Sequence, residues 1–207
     1  MFNVCSKCGL YHDDKIIEPE GPFAVCPSCG HKHRFKQLPL FIVTGASGAG
    51  KSTICLELSS VMPEIVVFEV DILWRDEFNK PDTDYREFRN LCLRVSKNIA
   101  QGGKPVVLCG SSIPSQYEQC VERRYFKNLH YLAVVCDDEI IRSRLKQRPG
   151  YRGCGSDEFI EGHIRFNNWF KENAHNTKSG ITLLDNSRDS LGESVEKAAS
   201  WIRGKIE

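Results

Sequence analysis

One eight-residue run constrains the fold of this chain more than any other feature. Residues 45–52 read Gly-Ala-Ser-Gly-Ala-Gly-Lys-Ser, which satisfies the phosphate-loop (P-loop) pattern Gly-x-x-x-x-Gly-Lys-Ser/Thr at every constrained position. An apolar run at 40–44 precedes the pattern, and a helix-compatible run at 51–58 follows it. Glycines let the backbone bend around an anion, and the N–H groups at the helix N-terminus then face phosphate oxygens. The run predicts a site for a nucleoside triphosphate; a glycine-rich turn without a ligand is the alternative.

The residue types within this loop predict a division of roles. Lys51 is expected to bridge the β- and γ-phosphates and to take part in catalysis, and the Ser52 hydroxyl is expected to hold Mg²⁺. ATP (or another nucleoside triphosphate) and Mg²⁺ are therefore the predicted cofactors of this part of the chain. The residues expected to contact the nucleotide are Gly45, Ala46, Ser47, Gly48, Ala49, Gly50, Lys51, Ser52 and Thr53.

Composition sets outer limits on the fold and on the partners. The 207 residues can form one main domain with a small appendage, and a net charge of +1 provides no general attraction to nucleic acid or membranes. No run is long enough to span a membrane, and the N-terminus, with Cys5 and Lys7, does not resemble a secretory signal. We therefore expect a cytoplasmic protein without a membrane partner. The sequence carries no signal for an oligomeric state.

Two Cys-x-x-Cys pairs near the N-terminus have the spacing of a zinc site. Seventeen residues separate the pair Cys5 and Cys8 from the pair Cys26 and Cys29, as is typical of four-cysteine zinc sites. Four thiolates suit tetrahedral Zn²⁺ and leave no open position, so the metal is expected to be structural. A segment this short cannot fold on apolar burial alone, and zinc would supply the missing stability. Residues 1–38 resemble a zinc ribbon, expected as two short β-hairpins with one cysteine knuckle each.

Three alternatives stand beside this interpretation. A redox role would use a single Cys-x-x-Cys at the start of a helix, and two matched pairs disfavour it. His12, His31 or His33 could replace a cysteine as a ligand, although the positions of the last two favour exposure to solvent. The basic segment 31–36 could contact nucleic acid, but a solvated face is the more common role of such a segment.

From residue 39 to residue 207, apolar strands alternate with helical segments. Most of the strands are continuous apolar runs, as parallel strands covered on both faces require. Five strands with crossover helices predict an α/β fold with a doubly wound five-stranded parallel sheet and the ligand at the carboxyl ends of its strands. The capping box Ser190–Glu193 opens the last helix. The expected strands are 40–44, 65–70, 105–109, 129–136 and 181–184, and the expected helices after the P-loop helix are 84–100, 156–174 and 190–204.

With these motifs, residues 40–205 resemble the P-loop kinase superfamily, in the branch of small nucleoside, nucleotide, shikimate and gluconate kinases. The resemblance implies ATP-dependent phosphoryl transfer to a small-molecule acceptor, and a lid near residues 148–157. It also implies a catalytic role for Asp71, which follows the second strand, where kinases of this type place an aspartate that orients the acceptor hydroxyl and takes its proton. The alternative for Asp71 is an N-cap for a helix beginning at Ile72.

Four arginines surround the start of the expected lid. Arg144 and Arg148 lie four residues apart on one helix face, and the resemblance implies that they close over the transferring phosphoryl group. The planar, permanently charged guanidinium suits that task. For Arg142 and Arg152 this role and a solvated position are equally supported. A basic helix end favoured by the helix dipole is the alternative for the group.

Two other segments carry weaker signals. Residues 185–187 resemble the loop that in these kinases packs near the adenine, where the base is read mostly through the backbone. Residues 167–169, in the helix after the lid, either face the site or pack in the core. Trp74 could stack on an acceptor or serve as a surface anchor.

The chain departs from the superfamily pattern at its third strand. That strand ends without the acidic residue that reaches Mg²⁺ in many P-loop proteins, so Glu69, Asp71 or water must complete the metal shell. The arginine that adenylate-kinase-like enzymes place there for the acceptor phosphate is also missing, although Arg75, Arg86 or Arg89 could replace it. We therefore favour a hydroxyl acceptor, such as a nucleoside or a sugar acid, over a nucleoside monophosphate.

A different class of function would use the same motifs as a switch. In a regulatory protein of this class, the P-loop would respond to nucleotide and the zinc ribbon would contact nucleic acid or a partner protein. The missing acidic residue favours this alternative, whereas Asp71 and the lid arginines oppose it. The sequence therefore predicts a small-molecule kinase first, and nucleic-acid binding is a possibility that it does not favour.

Overall fold

The computed structural model describes residues 2–18 and 20–206, and for Arg152 the backbone only. Its N-terminal part forms a three-stranded antiparallel sheet of β1 (Ile16–Glu18), β2 (Phe23–Val25) and β3 (Lys32–Arg34), in that spatial order. The second cysteine knuckle lies in the turn between β2 and β3, as predicted. The first knuckle differs from the prediction: it is a turn closed by a single bridge between Val4 and Tyr11, and β1 joins the sheet as an additional strand.

The larger part of the chain forms a five-stranded parallel sheet. Every predicted strand forms, with ends that differ from the prediction by no more than a residue. The spatial order is β5-β6-β4-β7-β8, so β4, which leads into the P-loop, lies at the centre of the sheet. The strands are β4 (Leu40–Thr44), β5 (Val66–Glu69), β6 (Val106–Cys109), β7 (Leu129–Val135) and β8 (Ile181–Asp185).

Among the described residues, five α-helices lie in the connections between the strands of this sheet, and a sixth follows β8. They are α1 (Lys51–Val61), α2 (Arg86–Ala100), α3 (Pro114–Glu118), α4 (Asp138–Lys146), α5 (Asp157–Asn173) and α6 (Leu191–Ile206). The predicted capping box is confirmed at α6, where the Ser190 N–H donates to Glu193 Oε2 at 2.8 Å and the Glu193 N–H donates to Ser190 Oγ at 3.3 Å. Helix α2 begins at Arg86 rather than at the predicted residue 84. Asp84 and Tyr85 have φ angles of 53° and 57°, which no α-helix accommodates.

Helices cover both faces of the sheet. Phe41 and Val43 of β4 point to one face and pack in the layer that holds α1 and α6, whereas Leu40 and Ile42 point to the other face and pack in the layer that holds α2. All four side chains are fully buried. Complete burial of such a side chain stabilises the fold by about 1.5–3 kcal/mol. Because helices cover both faces of a five-stranded parallel sheet, the predicted α/β fold with a doubly wound sheet is confirmed.

The N-terminal sheet packs against the larger part through shared contacts. Ala24 and Phe35 belong to the same apolar cluster as Leu40. The Lys15 N–H donates to the Tyr125 hydroxyl at 3.0 Å, and the Tyr125 ring meets Phe35 edge to face with ring centroids 6.1 Å apart. None of the described helices is both long enough and apolar enough to cross a bilayer.

Candidate active site

Glycines shape the loop between β4 and α1. Gly45, Gly48 and Gly50 have φ angles of 136°, 87° and 102°, a backbone region that favours glycine. A Cβ atom at Gly45 would collide with the carbonyl oxygen of Val134, and one at Gly50 would lie 2.9 Å from Asn186 Nδ2. The loop therefore needs glycine both for its curvature and for the close approach of its neighbours.

Side chains from four different elements hold the carbonyl groups of this loop. The donors come from the β6–α3 connection, from α1, from α4 and from the segment after β8, so the loop conformation depends on the assembled sheet. A loop held in this way is preorganised for a ligand. The pairs are Ser111 Oγ to Gly45 O (2.9 Å), Lys51 Nζ to Ala46 O (2.9 Å), Arg144 Nη1 to Gly48 O (3.1 Å) and Asn186 Nδ2 to Ala49 O (2.8 Å).

Two clefts open beside the loop. The smaller cleft, of about 90 Å³, is lined by Ser47, Lys51, Ser52, Glu69, Asp71, Gly110, Ser111 and Arg148. The larger cleft, of about 270 Å³, includes Gly48, Gly50, Thr53, Arg144, Arg148 and Asn186 in its lining. Arg148 lines both clefts. The structure thus places six of the nine predicted loop residues, Asp71, Arg144 and Arg148 in the walls of two neighbouring clefts that share Arg148.

Lys51 is buried in the centre of the loop. Burial lowers the pKa of its ammonium group, and the negative charge of Asp71 partly opposes that effect. A buried cation is costly unless an anion compensates it. The polyphosphate that the P-loop pattern predicts would provide that negative charge.

Two carboxylates lie at the end of β5, on the wall of the smaller cleft. The Ser52 hydroxyl donates to Glu69 Oε1 at 2.9 Å, so the predicted magnesium ligand has an acidic neighbour although β6 ends without one. Asp71 follows inside a 3₁₀ turn, Val70–Leu73, and Trp74 ends that turn. The alternative of an N-cap for an α-helix at Ile72 is therefore wrong. Hydroxyl and carboxylate oxygens are ligands that suit Mg²⁺.

The four arginines at the expected lid differ in their contacts. Arg144 holds the loop carbonyl described above, and Arg148 Nη1 lies 3.8 Å from Cys154 Sγ. Arg142 instead pairs with Glu161 of α5 at 2.6 Å, which identifies a structural role for it. The side chain of Arg152 lies outside the described part of the chain.

Another arginine lies behind the smaller cleft. Arg89 of α2 is 6% exposed, and its Nη2 donates to the Ser111 carbonyl at 2.9 Å. The ring centroids of Tyr85, Phe88 and Tyr117 surround its guanidinium at 5.9, 5.2 and 5.4 Å. Among the described residues no carboxylate forms an ion pair with it. Arg89 is thus a buried cation close to Asp71's cleft, whereas Arg75 and Arg86 are exposed.

Sequence reasoning missed one residue of the site. His163 of α5 accepts a hydrogen bond at Nδ1 from the Ser47 N–H, at 3.2 Å. Burial, together with the charges of Lys51 and Arg148, lowers the pKa of His163 to about 4. A single histidine in an amphipathic helix gives no local signal of this contact, which spans 116 positions of the chain.

The segment that includes residues 167–169 packs in the core. Asn167 is fully buried, and its amide satisfies the backbone of Cys136, with Nδ2 donating to the carbonyl at 2.8 Å and Oδ1 accepting from the N–H at 3.3 Å. Asn168 donates to Asp138 at 3.1 Å. Of the two alternatives for this segment, packing is the one that the structure supports.

Comparison with solved structures places this architecture among known folds. A sugar kinase from Janibacter sp. HTCC2649 superposes with a TM-score of 0.61 at 18% identity, over 80% of this chain and 95% of that protein. A gluconokinase from Sinorhizobium meliloti 1021 superposes with a TM-score of 0.58 at 16% identity, over 83% of this chain and 95% of that protein. The larger part of this chain has the P-loop kinase fold. No protein-family model and no curated protein matches the sequence.

Outside the P-loop kinase fold, the four N-terminal cysteines form a compact cluster. All four sulfur atoms lie within 4.8 Å of one another, and the Cys5–Cys29 and Cys8–Cys26 sulfur distances are 3.7 and 3.8 Å. Zn–S bonds of about 2.3 Å in a tetrahedron would place the sulfurs about 3.8 Å apart, so the cluster fits zinc.

The N-terminal histidines have other partners than the cysteine cluster. His12 Nε2 lies 2.7 Å from Ser28 Oγ, and His31 Nε2 lies 3.1 Å from Ser6 Oγ. His33 Nε2 lies 3.4 Å from Lys15 Nζ. The alternative in which a histidine replaces a cysteine ligand therefore has no support in this geometry.

Proposed function

We propose that this protein is an ATP-dependent small-molecule kinase, which transfers the γ-phosphoryl group of the nucleotide to a hydroxyl of the acceptor. One observation carries the proposal: the P-loop lysine, the Ser52–Glu69 pair, Asp71 and Arg148 line one polar cleft. In this proposal the set would supply a phosphate-binding cation, magnesium ligands, a general base and a second cation for the transferring group, which are the parts that phosphoryl transfer requires. The sugar kinase and gluconokinase among the structural neighbours are consistent with it.

The chemistry assigns one step to each residue. Asp71 would orient the acceptor hydroxyl and take its proton as the oxygen attacks the γ-phosphorus, and the bond from that phosphorus to the β–γ bridging oxygen would break. Lys51 and the loop amides would hold the β- and γ-phosphates, while Arg144 and Arg148 would stabilise the charge on the transferring group. Ser52, with Glu69 behind it, would hold Mg²⁺, which neutralises phosphate charge when bound.

A sugar acid is the acceptor that this site supports best. Arg89 is a buried cation without a carboxylate partner among the described residues, and the carbonyl that it holds belongs to Ser111 of the smaller cleft. An anionic acceptor group would compensate its charge. A nucleoside, whose base could stack on the neighbouring Trp74 and Tyr85 rings, is the second candidate. A nucleoside monophosphate, whose phosphate would also suit Arg89, is the third.

A panel of acceptors tests the proposal. Sugar acids, nucleosides and nucleoside monophosphates would be incubated with Mg²⁺ and ATP, and products would be scored by mass spectrometry for the gain of one phosphoryl group. We expect Lys51→Ala to abolish turnover. Asp71→Asn is expected to retain ATP binding and to lose about 10²–10⁴-fold in kcat, the usual contribution of a general base.

Lys80→Ala is the matched control for the lysine variant, because Lys80 forms an exposed ion pair with Glu87. It should turn over like the wild type. Unchanged turnover of Asp71→Asn would remove Asp71 from the mechanism, and absence of a phosphorylated product from the whole panel would contradict the kinase proposal.

We also propose that Cys5, Cys8, Cys26 and Cys29 hold a structural Zn²⁺, that residues 1–38 are a zinc-ribbon domain, and that residues 39–207 are the catalytic domain with a lid near 148–157. The sulfur distances support the metal assignment. Metal analysis of the purified protein should find one zinc per chain. Cys55, Cys92, Cys109, Cys120 and Cys136 are buried and form no disulfide, which suits the cytoplasmic location that we propose.

The nucleotide-switched regulatory module remains the competing function. Its supporting observation is the basic strand β3, with Lys32 and Arg34 exposed. Lys32, however, already pairs with Glu18 at 2.7 Å. A tight, steeply salt-dependent complex with oligonucleotides, together with no phosphorylated product from the acceptor panel, would reverse the ranking.

A further inference from the structure

One peptide group of the P-loop is held at both of its polar ends. Lys51 Nζ donates to the carbonyl oxygen of Ala46 at 2.9 Å, and the N–H of Ser47, in the same peptide, donates to His163 Nδ1 at 3.2 Å. In the part of the chain that the structure describes, Ser47 is the one P-loop residue whose amide donates to a side chain.

This contact requires a neutral imidazole. A ring nitrogen accepts a hydrogen bond only when it carries no proton, so Nε2 must hold the proton of His163. Burial and the facing cations, Lys51 of α1 and Arg148 at the lid, oppose protonation of the ring. The Phe159 ring covers it at a centroid distance of 4.3 Å. His163 is therefore an acceptor at neutral pH.

The two hydrogen bonds reinforce each other through the planar peptide. A hydrogen bond accepted from an amide polarises the whole group and makes its carbonyl oxygen a better acceptor. His163 thus strengthens the contact that fixes the position of Lys51 Nζ. It also prevents rotation of the peptide, which would remove the oxygen that holds Lys51.

We propose that His163 is a positioning residue for Lys51, which acts through the Ala46–Ser47 peptide and joins helix α5 to the triphosphate site. Helix α5 begins at Asp157, where the proposed lid segment ends, so the same helix meets both that segment and the loop. The inference rests on the proposed function, because it requires the loop to bind a nucleoside triphosphate through Lys51.

Two substitutions of His163 separate its hydrogen bond from its bulk. In His163→Asn, the side-chain oxygen can accept from the Ser47 N–H much as Nδ1 does, whereas His163→Leu fills the space without an acceptor. We expect the leucine variant to weaken binding of Mg-ATP by roughly 5- to 10-fold, the effect of losing one part-buried hydrogen bond. The asparagine variant should stay within about 3-fold of the wild type, since it restores the hydrogen bond.

The measurement is calorimetry with Mg-ATP on the full chain, with thermal unfolding of each variant and separate values of KM and kcat. A positioning role predicts a higher KM and a lower kcat in the leucine variant, and recovery of both in the asparagine variant. His130→Leu is the matched control. It removes an imidazole that packs between Phe41 and Trp201, away from the loop, and should leave ATP affinity unchanged.

The outcomes distinguish this inference from the function on which it rests. If the wild type binds no nucleoside triphosphate, both are overturned. If it binds ATP and the leucine variant binds equally well, or if asparagine does not restore affinity, the positioning role alone is overturned. Should the leucine variant not fold, nitrogen NMR of the wild type decides: a His163 ring that titrates near the ordinary 6.5 in the empty protein overturns the inference.

Discussion

Lys97 and Glu122 form an ion pair with almost no exposure to solvent. Their side chains are 1% and 4% exposed, and Lys97 Nζ lies 2.7 Å from Glu122 Oε2. Arg94 Nε lies 2.9 Å from the other oxygen of the same carboxylate. Glu122 therefore has two cationic partners, whereas Lys97 has one carboxylate partner among the described residues. Burial lowers the pKa of Lys97, and the hydrogen bond to Glu122 opposes that effect.

This asymmetry predicts that replacing Glu122 lowers the free energy of unfolding by more than replacing Lys97 does. Glu122→Gln leaves a buried ammonium group without an anion and should lower the free energy of unfolding by about 3–5 kcal/mol. Lys97→Met leaves Glu122 paired with Arg94 and should cost about 1–2 kcal/mol. Urea unfolding measures both values. Lys80→Met, which breaks an exposed pair, should cost less than about 1 kcal/mol, and equal losses in the two buried variants would contradict the argument.

At the scale of elements, the contact between the P-loop and helix α5 links stability to pH. His163 has a pKa of about 4 in the folded chain, against an ordinary value of 6.5. Between these two values the unfolded chain binds the proton and the folded chain does not, so protons favour unfolding. The contribution of this residue to stability is present above pH 6.5 and is lost as the pH falls toward 4.

We therefore expect the wild type to lose stability more steeply than His163→Asn as the pH falls through this window. Asparagine does not titrate, and its amide preserves the hydrogen bond to Ser47. Urea midpoints of both proteins at pH 6.5 and at pH 4 provide the measurement. Burial also lowers the pKa values of His33 and His130. These two histidines therefore lower the stability of both proteins by the same amount as the pH falls. Parallel pH profiles would show that His163 titrates normally.

The elements themselves were largely predictable. Continuous apolar runs predicted each parallel strand, because a strand covered on both faces has no polar side. Helix α2 shows where local patterns fail: the sequence predicts a helix from residue 84, but the left-handed backbone of Asp84 and Tyr85 delays its start to Arg86. That conformation brings Tyr85 toward Trp74, with ring centroids 6.0 Å apart, so tertiary packing overrode the local preference.

At the scale of the whole molecule, the N-terminal sheet and the larger sheet share one apolar layer. Phe2 meets Phe35 and Tyr125 edge to face, with ring centroids 5.6 and 5.5 Å apart. Lys15, buried beside the cysteine cluster, donates from Nζ to the Phe2 carbonyl at 2.8 Å. Loss of order in the N-terminal sheet would therefore remove contacts from the core of the larger part.

Zinc removal is expected to destabilise the entire chain rather than the N-terminal sheet alone. If the shared contacts contribute about 3 kcal/mol, a chelator should lower the Tm of the single transition by roughly 6–12 °C. Scanning calorimetry with and without the chelator measures this, and added zinc should restore the original Tm. Chelator should not change the Tm of Cys26→Ser, which lacks a complete ligand set. A separate early transition with an unchanged main transition would show that the two parts are independent.

Local residue patterns alone determined the strand, the glycine loop and the helix of the P-loop, the four-cysteine cluster and the parallel sheet. Each of these depends on short-range spacing or on apolar periodicity, and both can be recognised from residues that are close together in the sequence. Only the tertiary structure decided which side chains hold the loop: Arg144 on Gly48, Asn186 on Ala49 and His163 on Ser47. Residues about a hundred positions apart meet because the central strand lies beside β7 and because α5 packs against α4, and no local pattern encodes that geometry.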